Sequence, residues 1–99
     1  MSDIDVIDHT ESSRFEARSG DEVVGHIDYQ RAAGRVTITR TEVSSEHEGE
    51  GVGSSLVRGA LDRVRADGEQ VEVQCPFVQR WLDKHEDYQD LQVGDRASE

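Results

Sequence analysis

The chain has 99 residues, 22 Asp or Glu against 11 Lys or Arg, and a formal net charge of −11. A protein that neutralises nucleic-acid phosphates needs a basic stripe, and here the Arg residues stand singly among acids, which argues against a nucleic-acid partner. The length fits one domain, not two; the 33% apolar content raises the question of disorder, which the hydrophobic periodicity has to answer.

The first half alternates as strands do. Ile4 and Val6 alternate with acids, and Phe15 and Ala17 with Arg14, Glu16 and Arg18. Val23, Ile27 and Tyr29 are expected on one face of the next strand, with His26 and the earlier His9 in polar, solvent-facing positions. The run Val36-Thr37-Ile38-Thr39-Arg40-Thr41-Glu42-Val43 is dense in β-branched residues, which suit a pleated, half-buried surface. Short turns at Ser19-Gly20-Asp21 and Ala32-Ala33-Gly34 make these runs an antiparallel meander.

The period then changes. Val52, Leu56, Val57, Ala60, Leu61 and Val64 fall on one face of a helix, with Arg58, Asp62 and Arg65 opposite, Arg58 and Asp62 being spaced for an ion pair. Gly68 closes that helix in the left-handed position, and Arg63 and Arg65 suit the negative end of its dipole. Val71, Val73 and Cys75 alternate as a short strand, and Pro76 opens a second helix whose Phe77, Val78, Trp81 and Leu82 read as core. The expected organisation is one α+β domain over residues 1–93 with a frayed polar tail at 94–99. It has a mostly antiparallel sheet, a main helix after a glycine-rich turn, and a shorter C-terminal helix. The regular periodicity outweighs the disorder prior.

No stretch approaches the ~20 apolar residues of a membrane span, and Met1-Ser2-Asp3-Ile4-Asp5 is unlike a cationic signal peptide. A cytoplasmic location without membrane association is the expectation. The single Cys75 excludes an internal disulfide and leaves no cysteine set for structural zinc. Ten Arg beside one Lys, Lys84, with the acid excess, fit either a high-salt habitat or a GC-rich genome.

Chemistry concentrates in Glu46-His47-Glu48-Gly49-Glu50-Gly51-Val52-Gly53-Ser54, which leads from a strand into the main helix. Alternate glycines allow close backbone approach, and the free N–H groups of a helix start form an anion site suited to pyrophosphate. The dinucleotide fingerprint fails because position 56 is Leu and a meander precedes the loop; a Walker loop fails because the loop has no Lys. Glu46, Glu48 and Glu50 lack metal-site spacing and read as a solvated acidic rim.

A meander, a Gly-x-Gly-x-Gly-Ser turn, an amphipathic helix and a strand together resemble the coenzyme A core of the general N-acetyltransferase (GNAT) superfamily. Thr41-Glu42-Val43, Gly49-Glu50-Gly51-Val52-Gly53-Ser54-x-Leu56, Cys75-Pro76-Phe77-Val78 and His85-x-x-Tyr88 resemble its small single-domain YjdJ-type members, from about Phe15 to Leu91. The resemblance implies acetyl-CoA or coenzyme A as cosubstrate and an amine acceptor; the expected state of the chain is a monomer or weak dimer. In the superfamily a Gln/Arg-x-x-Gly-x-Gly/Ala loop binds the pyrophosphate, with Gly51 and Gly53 as the matching glycines. Glu48 stands at the Gln/Arg position, so backbone amides of Gly49, Glu50, Gly51, Val52, Gly53 and Ser54 must do the binding. Thr41, Glu42 and Val43 would lend backbone groups to the pantetheine arm and polarise the thioester carbonyl. The subgroup often has His before Thr-Glu-Val, where this chain has Arg40, and Pro after the closing His, where it has Glu86.

Cys75 is the intrinsic nucleophile, just ahead of a Pro-initiated helix whose positive end favours a thiolate. It could carry the acetyl group covalently, or simply pack, being in phase with Val71 and Val73. Direct attack by an amine needs no covalent step. His85 and Tyr88 are secondary catalytic candidates, Tyr88 as a proton donor to the leaving thiolate; packing is the competing role for both. His47 is expected at the surface. The function expected is N-acetyl transfer, with a non-catalytic CoA-binding module or a small interaction domain without a nucleotide ligand as alternatives.

Overall fold

The computed structural model describes residues 4–45 and 51–93. Gly49, Glu50, His47, the acidic rim and the tail at 94–99 lie outside the described residues. Strands β1 (Ile4–His9), β2 (Arg14–Ser19), β3 (Glu22–Ala32) and β4 (Arg35–Val43) are followed by helix α1 (Val52–Ala66), β5 (Gln70–Val73), α2 (Pro76–Asp83) and a 3-10 segment, Glu86–Leu91. The sheet runs in the order β1-β2-β3-β4-β5; its first three pairings are antiparallel and β5 joins β4 in parallel. The α+β meander with one main and one shorter helix is as expected from sequence. No helix of the described residues is long and apolar enough to cross a membrane.

The six apolar residues read onto the inner face of α1 are all buried. They cover Phe15, Ala17, Ile27, Val36, Ile38 and Val71 on one face of the sheet. Gly59 brings α1 onto the edge strand: a Cβ there would lie 2.5 Å from the Val6 Cγ2 atom. Gly68, in the α1–β5 connection, has φ of +71°, a conformation that a Cβ disfavours.

Three expectations about faces are corrected. Ala17 pairs with Gly25 and Arg18 with Val23, so Val24 is an extra residue in β3. This bulge reverses the inside–outside phase: Val24 is fully buried and Val23 is 43% exposed. His9 and His26 are half-buried rather than solvent-facing, and the His26 Nε2 atom lies 3.8 Å from both an Asp28 and a Glu42 carboxylate oxygen. Phe77 is not core either; it is 40% exposed, whereas Val78, Trp81 and Leu82 are buried.

Far from the helix starts, the Tyr29 hydroxyl donates to Asp8 at 2.5 Å, Arg31 reaches Asp8 at 3.1 Å, and Arg31 pairs with Glu69 at 3.0 Å. Burial first, then the Asp8 hydrogen bond, pushes the Tyr29 phenol up to about 12. A group whose acidity is weakened by folding stabilises the fold below its unfolded pKa of 10 and loses that contribution as pH rises toward 12. Denaturant midpoints measured from pH 9 to about pH 12 should therefore show the gap between wild type and Tyr29→Phe narrowing. A gap that stays constant or widens contradicts this assignment.

Candidate functional site

The parallel pairing of β5 covers only residues 35–38 of β4, with one further bond from the Gln74 N–H to the Ile38 carbonyl at 2.9 Å. Beyond it the two strands part. β4 carries its own irregularity there: Asp28 pairs with Arg40 and Tyr29 with Ile38, leaving Thr39 as an extra residue. Ile38 turns its carbonyl to β5, whereas the Ser44 N–H donates to Val24 of β3 at 2.8 Å. Alternation back from Ser44 sends the backbone groups of Glu42 and Arg40 toward β3 and those of Thr41 and Val43 into the opening left by β5. Without the Thr39 bulge the opening would face Arg40 and Glu42 instead.

Across this opening lies Cys75, the residue before Pro76 and the N-cap of α2. It is 6% exposed and belongs to the core cluster, and its thiol donates to the Thr41 hydroxyl oxygen at 3.4 Å. The strand read from sequence as reaching Cys75 stops at Val73, so Cys75 closes the head of the gap between the strands.

The second component is the start of α1. Gly51, with φ of +81°, is its N-cap, and the Ser55 N–H makes the first helical bond to the Gly51 carbonyl at 3.0 Å. The N–H groups of Val52, Gly53 and Ser54 thus have no acceptor within the helix. Val52 is buried, so only its backbone can meet a ligand. Gly53 is glycine for a packing reason: a Cβ would lie 2.8 Å from the Cζ atom of Phe77, whose ring occupies that side. Ser54 accepts a 2.9 Å hydrogen bond from the Trp81 indole.

Helix α2 and the segment after it run alongside α1 in the same direction. Phe77 lies against Gly53, Trp81 against Ser54, Tyr88 against Asp62, and Asp90 against Arg65. His85 stacks on Trp81 with ring centroids 3.7 Å apart, and its Nδ1 atom lies 2.7 Å from the Trp81 carbonyl. That carbonyl can only accept, so Nδ1 carries the proton and Nε2 is left as an acceptor in the neutral ring. The Tyr88 hydroxyl donates to Asp62 at 2.7 Å, and this bond, with burial, raises its pKa. Arg58, expected from spacing to face Asp62, has its guanidinium over Trp81 at 5.4 Å and Tyr88 at 5.7 Å. The eight residues of α2 span about 12 Å, so Cys75 sits at one end of the helix and His85 and Tyr88 beyond the other. Thr41, Val43 and Cys75 meet at the strand opening, and Val52, Gly53 and Ser54 at the helix start. Glu42 points its side chain to Arg40 and His26.

Sequence reasoning gave Trp81 and Arg58 no part near the helix start. The only available signal was the four-residue spacing of Ser54 to Arg58 and of Phe77 to Trp81.

A parallel strand that leaves its neighbour beside a glycine-bearing helix start makes a compact α+β core with an opening at the sheet. The model of the GCN5-related N-acetyl-transferase family matches residues 14–91, and the chain belongs to this family. No curated protein matches the sequence. A GCN5-like protein from Staphylococcus aureus, solved by NMR, is 25% identical with a TM-score of 0.68, over 95% of this chain and 92% of that one. An acetyltransferase from Bacillus subtilis solved in complex with CoA is 23% identical (TM-score 0.54, 67% of this chain, 45% of that one). A ribosomal-protein-alanine N-acetyltransferase from Brucella melitensis is 16% identical (TM-score 0.56, 82% and 61%). The latter two are likenesses of fold, and this chain spans about half of their lengths.

Proposed function

We propose that the protein binds acyl-CoA, acetyl-CoA in the first instance, and transfers the acyl group to an amine. The observation that carries this reading is the bulged β4: it directs the backbone groups of Thr41 and Val43 into the gap that β5 leaves, with Cys75 across it. An amide-bearing pantetheine arm can pair with those groups as a strand would, and the N–H of Thr41 or Val43 can polarise a thioester carbonyl. The N–H groups at the start of α1, which have no acceptor within the helix, suit the pyrophosphate. The family membership and the CoA-bound fold relative support the choice of ligand.

The placement of Cys75 favours a covalent route over direct attack. Its Sγ is held against Thr41, so a carbonyl polarised by the Thr41 or Val43 N–H would lie beside the sulfur. In the first step an Sγ–acyl bond forms, the CoA sulfur–acyl bond breaks, and the thiol proton passes to the departing sulfur. In the second an amine nitrogen bonds to the acyl carbon, the Sγ–acyl bond breaks, and a proton from the amine returns to Sγ. Thiol release from acetyl-CoA in the presence of amines tests the reading. If neither CoA nor acetyl-CoA raises the melting temperature at any salt concentration, the site does not bind this ligand and the reading fails.

Charge sets a further expectation. CoA is polyanionic and the chain carries −11, so long-range repulsion opposes association at low ionic strength. Between about 0.1 and 1 M KCl the Debye length shrinks from about 10 to about 3 Å, leaving short-range amide contacts in place. CoA affinity measured by calorimetry should stay level or rise over this range, and a steep fall would contradict backbone-dominated binding.

A further inference from the structure

At the start of α1 the exposed Ser54 hydroxyl has a fixed partner. Its partner is the indole N–H of Trp81, at 2.9 Å. An indole nitrogen only donates and a hydroxyl has a single proton, so Ser54 Oγ is the acceptor and its O–H remains to be donated elsewhere. The indole is not free to release it. Trp81 is 6% exposed and carries His85 stacked nearly parallel, at 7°, on one side and Tyr88 edge-on at 5.3 Å. The Arg58 guanidinium lies 5.4 Å from the Trp81 ring centroid. His85 is in turn tied to the carbonyl of Trp81 itself. The ring that orients Ser54 is therefore packed by residues from both α1 and the C-terminal segment.

Ser54 is the third residue of α1, within the turn whose N–H groups lack helical acceptors. We infer that Trp81 is a positioning residue that sets the Ser54 hydroxyl as a donor to the phosphate groups bound at the start of α1. The inference rests on the acyl-CoA reading above and adds a residue to it. It assigns Trp81 and Ser54 to the phosphate end of the ligand and not to the pantetheine arm, which meets β4.

The chain has a single Trp, so its indole N–H gives one resonance in a 15N-labelled sample, a direct probe of this hydrogen bond. The ligands to titrate are CoA and pantetheine, which lacks the pyrophosphate. CoA should move the indole resonance to saturation, and pantetheine should not. Ser54→Ala and Trp81→Phe should each weaken CoA about tenfold, as expected for a bond to a charged group. Both should leave pantetheine within about twofold, and the double variant should be no weaker than Ser54→Ala alone. The inference is overturned if CoA saturates the wild type without moving the indole resonance. It is also overturned if Trp81→Phe binds CoA like the wild type, or if that variant weakens pantetheine as much as CoA, the mark of a structural role. Should Trp81→Phe fail to fold, the wild-type titration and Ser54→Ala still decide the matter. A wild type that binds no CoA shows neither a thermal shift nor a resonance change; that result removes the acyl-CoA reading and this inference together, whereas binding with a silent indole removes the inference alone.

Discussion

Incubated with excess acetyl-CoA and no amine, the wild-type chain is expected to gain one acetyl group, mapping to Cys75 by intact mass and peptide analysis, and Cys75→Ser to gain none. Two features of the structure lead to this result. Cys75 is the chain's one thiol, and its Sγ touches Thr41, whose backbone groups open into the gap between β4 and β5. Serine preserves the size of the side chain and can keep the bond to Thr41, so loss of the adduct would not reflect a collapsed core. Amine acylation by Cys75→Ser should fall by at least about a hundredfold, the scale seen when a covalent nucleophile is removed. The alternative outcome is equally definite. A wild type without an adduct, together with a Cys75→Ser variant of undiminished rate, would mean direct attack by the amine on bound acetyl-CoA and a packing role for Cys75.

Replacing Gly59 by Val should cost about 3 kcal/mol of stability, the upper end for overpacking a close contact. At an unconstrained position in a helix, removing glycine helps by a few tenths to about 1 kcal/mol, so the sign of the change is itself informative. Here a Cβ would fall 2.5 Å from Val6 Cγ2 and 2.7 Å from Val6 Cβ. Accommodating it means pushing the edge strand β1 off α1 and exposing part of the core that Ile4 and Val6 help to cover. Thermal melts should show the loss as a drop of roughly 4–8 °C per kcal/mol for a domain of this size. Gly59→Ala should also destabilise, and Val6→Gly should restore part of that loss by vacating the space. A Gly59→Ala variant that melts above the wild type would show that the helix can move away from β1 without cost.

The glycines show how far the sequence could be read. At Gly53 a ligand-facing role was the natural inference from the alternation of glycines in the loop, yet the neighbouring space is filled by Phe77, which lies 24 residues further on. Phe77 was expected in the core because it shares a helical face with Trp81, but α2 begins where α1 begins, and its first turn projects over that helix end into solvent. His85 and Tyr88 were legible as a closing block, but they lie beyond the end of α2 opposite Cys75, where their partners are Trp81 and Asp62.

Local pattern determined what depends on local physics. The six buried positions of α1, the proline start of α2 and the left-handed Gly68 follow from periodicity and backbone preference, because each element had to bury one face or turn at one residue. The meander followed from short turns between strands. Bulges are different. The extra residues Val24 and Thr39 exist only in relation to the strand opposite, so nothing in β3 or β4 alone announces them. Yet the first exchanges which valine is buried, and the second turns the backbone of Thr41 and Val43 into the gap that β5 leaves. The residues of the candidate site were thus present in the sequence, but strand register and the parallel course of two helices decided which of them face each other.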